Sequence, residues 1–170
     1  MNAANLWQAI RDAYDEDEEF AEREFGPPAT DAEITLLHNT LGLELPAEFI
    51  ESLKVHNGCE WINGFGELLN VDGIIDQWQR YNEWQKTMDY GIGEKWKTRS
   101  LDGPVKEYWW GPKRIYVIDN SGDHVTLDLD PPEIGMYGQV LDHCHETGPK
   151  NVIANGWYDF LADVPDHTYD

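Results

Sequence analysis

The hydrophobic period of this chain changes near Gly91, and that change restricts the fold more than any other feature of the sequence. Before Gly91, apolar residues recur every three to four positions, as on one face of a helix. Beyond it, short segments alternate apolar and polar side chains, as in half-buried strands. Because helices come first and strands later, the sequence predicts one α+β domain, with helices packed around a mixed or mainly antiparallel sheet.

The clearest start and stop signals belong to the second and third helices. Thr30 and Glu33 have the spacing of a capping box, in which both side chains accept hydrogen bonds from unpaired backbone N–H groups. Gly42 is the expected stop of that helix. Pro46 is expected as the first residue of a third helix, which ends before Gly58.

Three more helices complete the predicted helical set. The first begins near Asn5, and the fourth runs from Asp72, its expected N-cap, to about residue 88. The last occupies residues 157–164 and offers apolar side chains to the core.

Four strands are predicted after Gly91, at residues 105–109, 114–118, 125–129 and 139–144. Between the second and third, Gly122 is expected to take positive φ in a tight hairpin turn. Polar residues alternate along 125–129, so this strand is expected to have one face in water.

The pair Trp109–Trp110 lies at the end of the first predicted strand, where the two rings would point to opposite faces of the sheet. Core packing is the favoured interpretation of both rings. A contact of Trp110 with a protein partner is the alternative.

The chain has 170 residues, 33 of them acidic and 12 basic, which gives a formal net charge of −21. A surface of this charge repels phosphate groups, so the sequence argues against binding to nucleic acids and anionic membranes. With neither a signal peptide nor an apolar membrane span, a cytoplasmic location is expected. The acidic excess lies in residues 1–60 and 116–170. The two ends could form one attracting surface or merely keep the protein soluble, and the sequence leaves both readings open.

Candidate metal ligands occur at His143, Cys144 and His145. On a strand the two histidines would share one face and Cys144 would point to the other, so no metal site is expected. Cys144 and Cys59 are expected to be free thiols. No cofactor is predicted.

Motifs for nucleotide binding or nucleophilic catalysis do not occur in the sequence. Asp128 and Asp130 would lie on one face of a strand and could form an acid/base pair. The favoured interpretation is that they orient backbone groups at the strand end. No catalytic residue is therefore predicted.

Three blocks of residues have an order and spacing that can be compared with known families. They are Thr30-x-x-Glu33-Ile34 with Leu41-Gly42-x-x-Leu45-Pro46-x-x-Phe49 and His56-Asn57-Gly58; Trp109-Trp110 with residues 115–118, Gly122-Asp123-His124 and 127–131; and Gly135-x-x-Gly138-Gln139-Val140 with Trp157, Phe160 and Leu161. Together they resemble the SUKH superfamily, which includes fungal cell-wall assembly regulators and many bacterial immunity proteins. The resemblance covers about residues 30–164. It implies a SUKH-like domain at 30–170, preceded by an acidic N-terminal helix and leader at 1–29.

The resemblance implies a protein-binding module without catalysis of its own. The first hypothesis is an immunity protein that neutralises a cognate, basic, nucleic-acid-targeting toxin by direct binding. The alternative is a regulatory scaffold of the cell-wall assembly type, and an enzyme using Asp128, Asp130 and His124 ranks last. The residues proposed to bind the partner are Asp15, Glu16, Asp17, Glu18, Glu19 and Trp110. The motif residues with an expected structural role are Thr30, Glu33, Gly42, Pro46, Gly58, Trp109, Gly122, Asp128, Asp130 and Gly138.

Overall fold

The computed structural model describes residues 2–15, 24–88 and 102–167, without the side chains of Asp15 and Met88. The acidic block at 16–19 and the segment from Gly91 to 101 lie outside these residues. The described helices are α1 (Ala3–Asp15), α2 (Asp31–Leu41), α3 (Ala47–Leu53), α4 (Val71–Met88) and α5 (Trp157–Asp163), which is followed by a 3₁₀ turn (Val164–Asp166). The strands are β1 (Cys59–Ile62), β2 (Gly66–Leu68), β3 (Arg114–Asn120), β4 (Asp123–Asp128), β5 (Gln139–Cys144) and β6 (Gly148–Ala154).

The six strands form one antiparallel sheet in which each strand pairs with its sequence neighbours, in the order β1-β2-β3-β4-β5-β6. Helix α4 connects β2 to β3. The α+β class and the antiparallel sheet predicted from the sequence are confirmed.

Two residues turn the hairpin between β3 and β4. Ser121 has φ 55° and Gly122 has φ 104°. Positive φ at both central positions is the geometry whose twist matches that of the flanking strands. The expected hairpin with Gly122 at positive φ is confirmed.

The segment 105–109 is not a strand, which corrects the first of the four predicted strands. Its backbone is held by a side chain instead: the guanidinium of Arg114 donates to the carbonyl oxygens of Lys106, at 2.8 Å, and Tyr108. The aromatic residues that favoured a strand here lie in a connection packed on the sheet. Strands β1, β2 and β6 were not predicted from the sequence.

One face of the sheet carries the main core, to which all five helices contribute. Helix α1 belongs to this core although it precedes the matched motifs. Its residues Leu6, Trp7, Ile10 and Tyr14 are all at most 4% exposed. The indole Nε1 of Trp7 also donates to Ser52 Oγ in α3, at 3.0 Å.

The opposite face of β4 is buried as well, so the expected wet face is wrong. Thr126 and Asp128 are fully buried and His124 is 4% exposed. The cause is a covering layer that the sequence pattern does not reveal, made by the segment 102–113 and the C-terminal half of α4.

The capping box of α2 is present as predicted. Thr30 Oγ1 accepts from the backbone N of Glu33 at 3.2 Å, and Glu33 Oε2 accepts from the backbone N of Thr30 at 2.7 Å. Gly42 ends the helix with φ 63°.

Two predicted helix starts shift by one or two positions. Pro46 is the N-cap of α3 and not its first residue. Helix α4 starts at Val71, and Asn70 takes the capping role expected of Asp72, because Asn70 Oδ1 accepts from Gly73 N at 2.8 Å.

Replacing Thr30 with Ala should lower the free energy of unfolding by about 1 kcal/mol, the usual loss for an N-cap hydroxyl. Chemical denaturation measures this change. Thr40→Ala on the same helix is the matched control and should have a much smaller effect. If Thr30→Ala kept full stability but abolished partner binding, the structural role of this motif would be wrong.

Candidate functional site

The motif residues connect separate elements of the fold. Glu33 Oε1 accepts from Asn57 Nδ2 at 3.1 Å, and Asn57 Oδ1 accepts from the backbone N of Val71 at 2.8 Å. The first and third motif blocks also meet, because a Cβ on Gly138 (φ +82°) would lie 2.5 Å from Pro46 Cγ. Gly58 has φ +95° beside Asn57. In the structure these residues join α2, α3, α4 and the sheet.

Asp128 and Arg114 form a fully buried ion pair, with 3.8 Å between Oδ1 and Nε. The carboxylate of Asp128 also accepts from Asp130 N at 3.1 Å and from Gln139 Nε2 at 3.0 Å. Burial raises the pKa of Asp128, and Arg114 opposes that shift. Asp128 is thus bound to its neighbours and out of contact with solvent.

Asp130 lies at the surface and is paired. Its Oδ1 is 2.8 Å from Lys106 Nζ, and its Oδ2 accepts from the Tyr108 hydroxyl at 3.2 Å. Burial alone would raise the pKa of Asp130, but the Lys106 ammonium and the Tyr108 hydroxyl lower it overall. The guanidinium of Arg114 stacks 3.8 Å from the centre of the Tyr108 ring. Asp128 and Asp130 therefore anchor the segment 102–113 to the sheet.

A second buried cluster consists of two tyrosines and two histidines. Tyr81 OH lies 3.0 Å from His124 Nε2, and Tyr116 OH lies 3.2 Å from His143 Nε2. The rings of Tyr116 and His124 stack with centroids 4.0 Å apart. Because His124 is 4% exposed, the enzyme hypothesis that used His124 with Asp128 has two of its three side chains buried.

Mild acidification should destabilise the protein through three buried histidines. Burial lowers the pKa of His124 and His143 in the folded state, and also that of His56. In the unfolded state all three return to about 6.5 and so bind protons first. Stability should be full above that pH and decrease as the pH falls below it, seen as lower urea midpoints at about pH 5.5 than at about pH 7.5.

The carboxylates of Glu33, Asp123 and Asp130 have lowered pKa values in the folded state. Acid therefore lowers the free energy of unfolding through them as well, but only below about pH 4. The two windows are therefore separate. His143→Asn removes the buried imidazole of His143 and so separates its contribution to the pH dependence from those of His56 and His124. A wild-type midpoint that stays constant between about pH 7.5 and pH 5.5 would contradict this interpretation.

Trp109 and Trp110 pack on the same tyrosine cluster and not on opposite faces of a strand. The rings of Trp110 and Tyr81 stack at 5.8 Å, and the Trp109 ring lies 5.3 Å from that of His143. Trp110 is 1% exposed. It therefore offers no surface to a partner, which corrects its proposed role as a binding anchor.

His143, Cys144 and His145 do not alternate as predicted, because β5 ends at Cys144 and His145 lies in the following turn. His143 is buried among tyrosines, whereas ligand atoms of Cys144, His145 and Asp123 lie within 4.8 Å of one another. Asp123 Oδ1 already accepts from the backbone N and Nδ1 of His145, at 2.8 and 2.7 Å. No fourth ligating group joins them in the described ranges. These hydrogen bonds account for the cluster, and the absence of a bound metal stays a prediction.

Cys59 is buried, with its Sγ donating to Trp61 O at 3.3 Å, and Cys144 is a half-buried free thiol, as expected. No helix in the described ranges has the length and apolar character needed to cross a bilayer.

The connection between β4 and β5 contains a group of exposed apolar side chains that was not predicted from the sequence. Ile134, Met136 and Tyr137 are 85%, 57% and 54% exposed. We call residues 131–138 the 131–138 loop. A usable signal was present, since three large apolar residues stand between Pro131-Pro132 and Gly138 where turn residues exclude a core strand.

The side chains of the acidic block Asp15 to Glu19 lie outside the described residues. Their proposed role in partner binding stays a prediction.

Comparison with known proteins identifies relatives among fungal regulators. The cell wall biosynthesis/cell cycle regulator smi1 of Schizosaccharomyces pombe is 29% identical over 151 residues, covering 80% of this chain and 30% of that protein. The cell wall assembly regulator SMI1 of Saccharomyces cerevisiae is 24% identical over 172 residues, covering 79% of this chain and 34% of that protein.

A shorter bacterial match is the uncharacterized protein YnaB of Bacillus subtilis, 39% identical over 61 residues, which are 36% of this chain and 39% of YnaB. The chain thus spans about a third of the length of these three relatives.

The family model for the SMI1 / KNR4 family (SUKH-1) matches residues 28–163, which include every motif block and all elements from α2 to α5. The chain belongs to the SMI1 / KNR4 family (SUKH-1).

Proposed function

We propose that this chain is a non-catalytic protein-binding domain that associates with a basic protein partner through its acidic surface. The observation that carries the proposal is the net charge of −21. The buried candidates for acid/base chemistry, Asp128 and His124, make contacts inside the fold, with Arg114 and Tyr81. A field of this sign accelerates encounter with positively charged proteins and disfavours nucleic acids and anionic lipids.

The acidic character extends over the described surface. Exposed carboxylates lie on α1, at the start of α2 and on α4, and also near the C-terminal end of the described chain, at Asp12, Asp31, Asp76, Asp163 and Asp166. Among the described residues, few basic side chains pair with such groups; Lys54 Nζ, for example, lies 2.9 Å from Asp31 Oδ1. A partner with clustered Lys and Arg would find attraction over much of this surface.

Two finer roles are compatible with this proposal. The fungal relatives named as cell-wall regulators support a regulatory domain that assembles with other proteins. The high acidity supports an immunity protein, because toxins that cleave nucleic acids need basic clefts that an acidic protein can occupy.

Purification of the tagged chain from its native host at low salt tests the proposal. We expect a basic protein to co-purify, to dissociate at high salt and to re-form the complex from purified components. If the partner cleaves nucleic acids and one equivalent of this chain stops the cleavage, the immunity role is supported. A partner without such activity supports the regulatory role, and turnover of a substrate by this chain alone would contradict the proposal.

Neutralising the acidic block should slow association with that partner. Replacing Asp15, Glu16, Asp17, Glu18 and Glu19 with Asn or Gln removes five charges, which should lower the association rate constant and flatten its dependence on salt. Stopped-flow measurement at several ionic strengths gives both quantities. If the rate constant at low salt equals that of the wild type, the block serves solubility alone.

A further inference from the structure

The 131–138 loop holds three of the five large apolar side chains that are exposed within the described ranges. Ile134, Met136 and Tyr137 fall within four consecutive positions, whereas the other two, Leu36 and Trp84, lie on separate helices. Single exposed apolar residues are ordinary, but a cluster of them marks an interaction site.

Hydrogen bonds hold the backbone of the 131–138 loop in place. Gly135 N donates to Pro132 O at 2.8 Å, and Gly138 N donates to Asp128 O at 2.9 Å. The buried side chain of Gln139 accepts from Met136 N at 3.1 Å and donates to Pro104 O at 2.8 Å. The apolar side chains therefore project from a loop whose backbone is fixed by hydrogen bonds, so the loop loses less conformational entropy when it binds a partner.

Two exposed glutamates are close to these side chains. Glu133 directly precedes Ile134 in the loop, and the backbone oxygen of Glu44 accepts from the Tyr137 hydroxyl. Neither Glu44 nor Glu133 belongs to an ion pair within the described part of the chain. An apolar centre with an unpaired anionic rim is suited to a partner with an apolar pocket surrounded by Lys or Arg.

We propose that the 131–138 loop is the apolar anchor of the interface with the basic protein partner, and that Ile134 inserts into a pocket of that partner. This inference rests on the proposed function. The net charge favours a basic protein over other binding partners. Two copies of this chain would repel each other because each has a net charge of −21, and an anionic lipid surface would repel the chain for the same reason. A basic protein gains both attraction and apolar burial.

Site-specific photo-cross-linking in the native host tests this assignment. The cross-linking residue p-benzoylphenylalanine replaces Ile134 in one variant and Leu36, which is 49% exposed on α2, in the control variant. We expect position 134, and not position 36, to cross-link to the basic protein that co-purifies with the wild-type chain. A cross-link from position 134 to a second copy of this chain would overturn the assignment.

The test is completed by purifying the partner that was identified by cross-linking and measuring its affinity for this chain. Ile134→Ala and Met136→Ala should each raise the dissociation constant of the complex by about ten-fold or more, and Leu36→Ala by less than about two-fold. Thermal unfolding should not change, because the truncated side chains are exposed. If the partner binds Ile134→Ala as tightly as wild type, or cross-links only from position 36, the anchor is wrong and the proposed function stands. If no partner is recovered with any variant or with wild type, both fail.

Discussion

Replacing Arg114 with Ala should lower the free energy of unfolding by about 3–5 kcal/mol, among the largest effects of any single change in this protein. The change leaves the Asp128 carboxylate buried without its cation, and burial already raises the pKa of Asp128. It also removes the donors to the carbonyl oxygens of Lys106 and Tyr108, so the segment 102–113 loses two of its hydrogen bonds to β3. Urea or guanidinium unfolding of both proteins measures the loss.

Lys106→Ala is the matched control, because its ion pair with Asp130 is partly exposed and should contribute less than about 1 kcal/mol. Replacing both buried partners, with Arg114→Met and Asp128→Leu, should recover part of the stability, since no unpaired charge is then left in the interior. If Arg114→Ala has no larger effect than Lys106→Ala, the buried pair does not hold this face of the sheet together.

Trp110→Ala should lower the free energy of unfolding by about 3–5 kcal/mol, because it empties the centre of the cluster formed with Tyr81 and Tyr116. Because the ring is 1% exposed, its removal leaves a cavity that could close only if the neighbouring side chains moved. Those side chains are themselves tightly packed. Trp84→Ala, at a 43% exposed position on the same cluster's edge, should lower it far less.

The same pair of variants separates a core role from a binding role. At a temperature where Trp110→Ala is still folded, its affinity for the basic partner should match that of wild type. A folded Trp110→Ala protein with undiminished stability and a strongly weakened complex would contradict the core assignment and restore Trp110 as an anchor.

Local signals in the sequence were sufficient for the capping box of α2 and for the hairpin. Thr30 with Glu33, and Gly122 in its turn, act through bonds to residues a few positions away, so their spacing contains the whole interaction. Helix α2 and the β3–β4 hairpin were predictable for that reason.

Long-range contacts account for what the sequence did not predict. The alternation along β4 predicted one solvent-exposed face because polar residues usually lie in contact with water. Thr126, Asp128 and His124 are polar but are buried by a covering layer. Strand β6 was missed since it contains Pro149, which is tolerated because β6 is an edge strand. The exposed side chain of Ile134 was missed because composition reveals apolar residues and not their exposure, and its position between Pro131-Pro132 and Gly138 was not used.

The association rate constant of the wild-type chain with its co-purified partner, measured across ionic strengths, tests the central claim most directly. Binding of a basic protein by long-range attraction predicts that this constant falls steeply as salt rises from about 0.05 to 0.5 M, while the dissociation rate changes little. An association rate constant that does not depend on salt would contradict the account, because the net charge of −21 would then have no role in finding the partner.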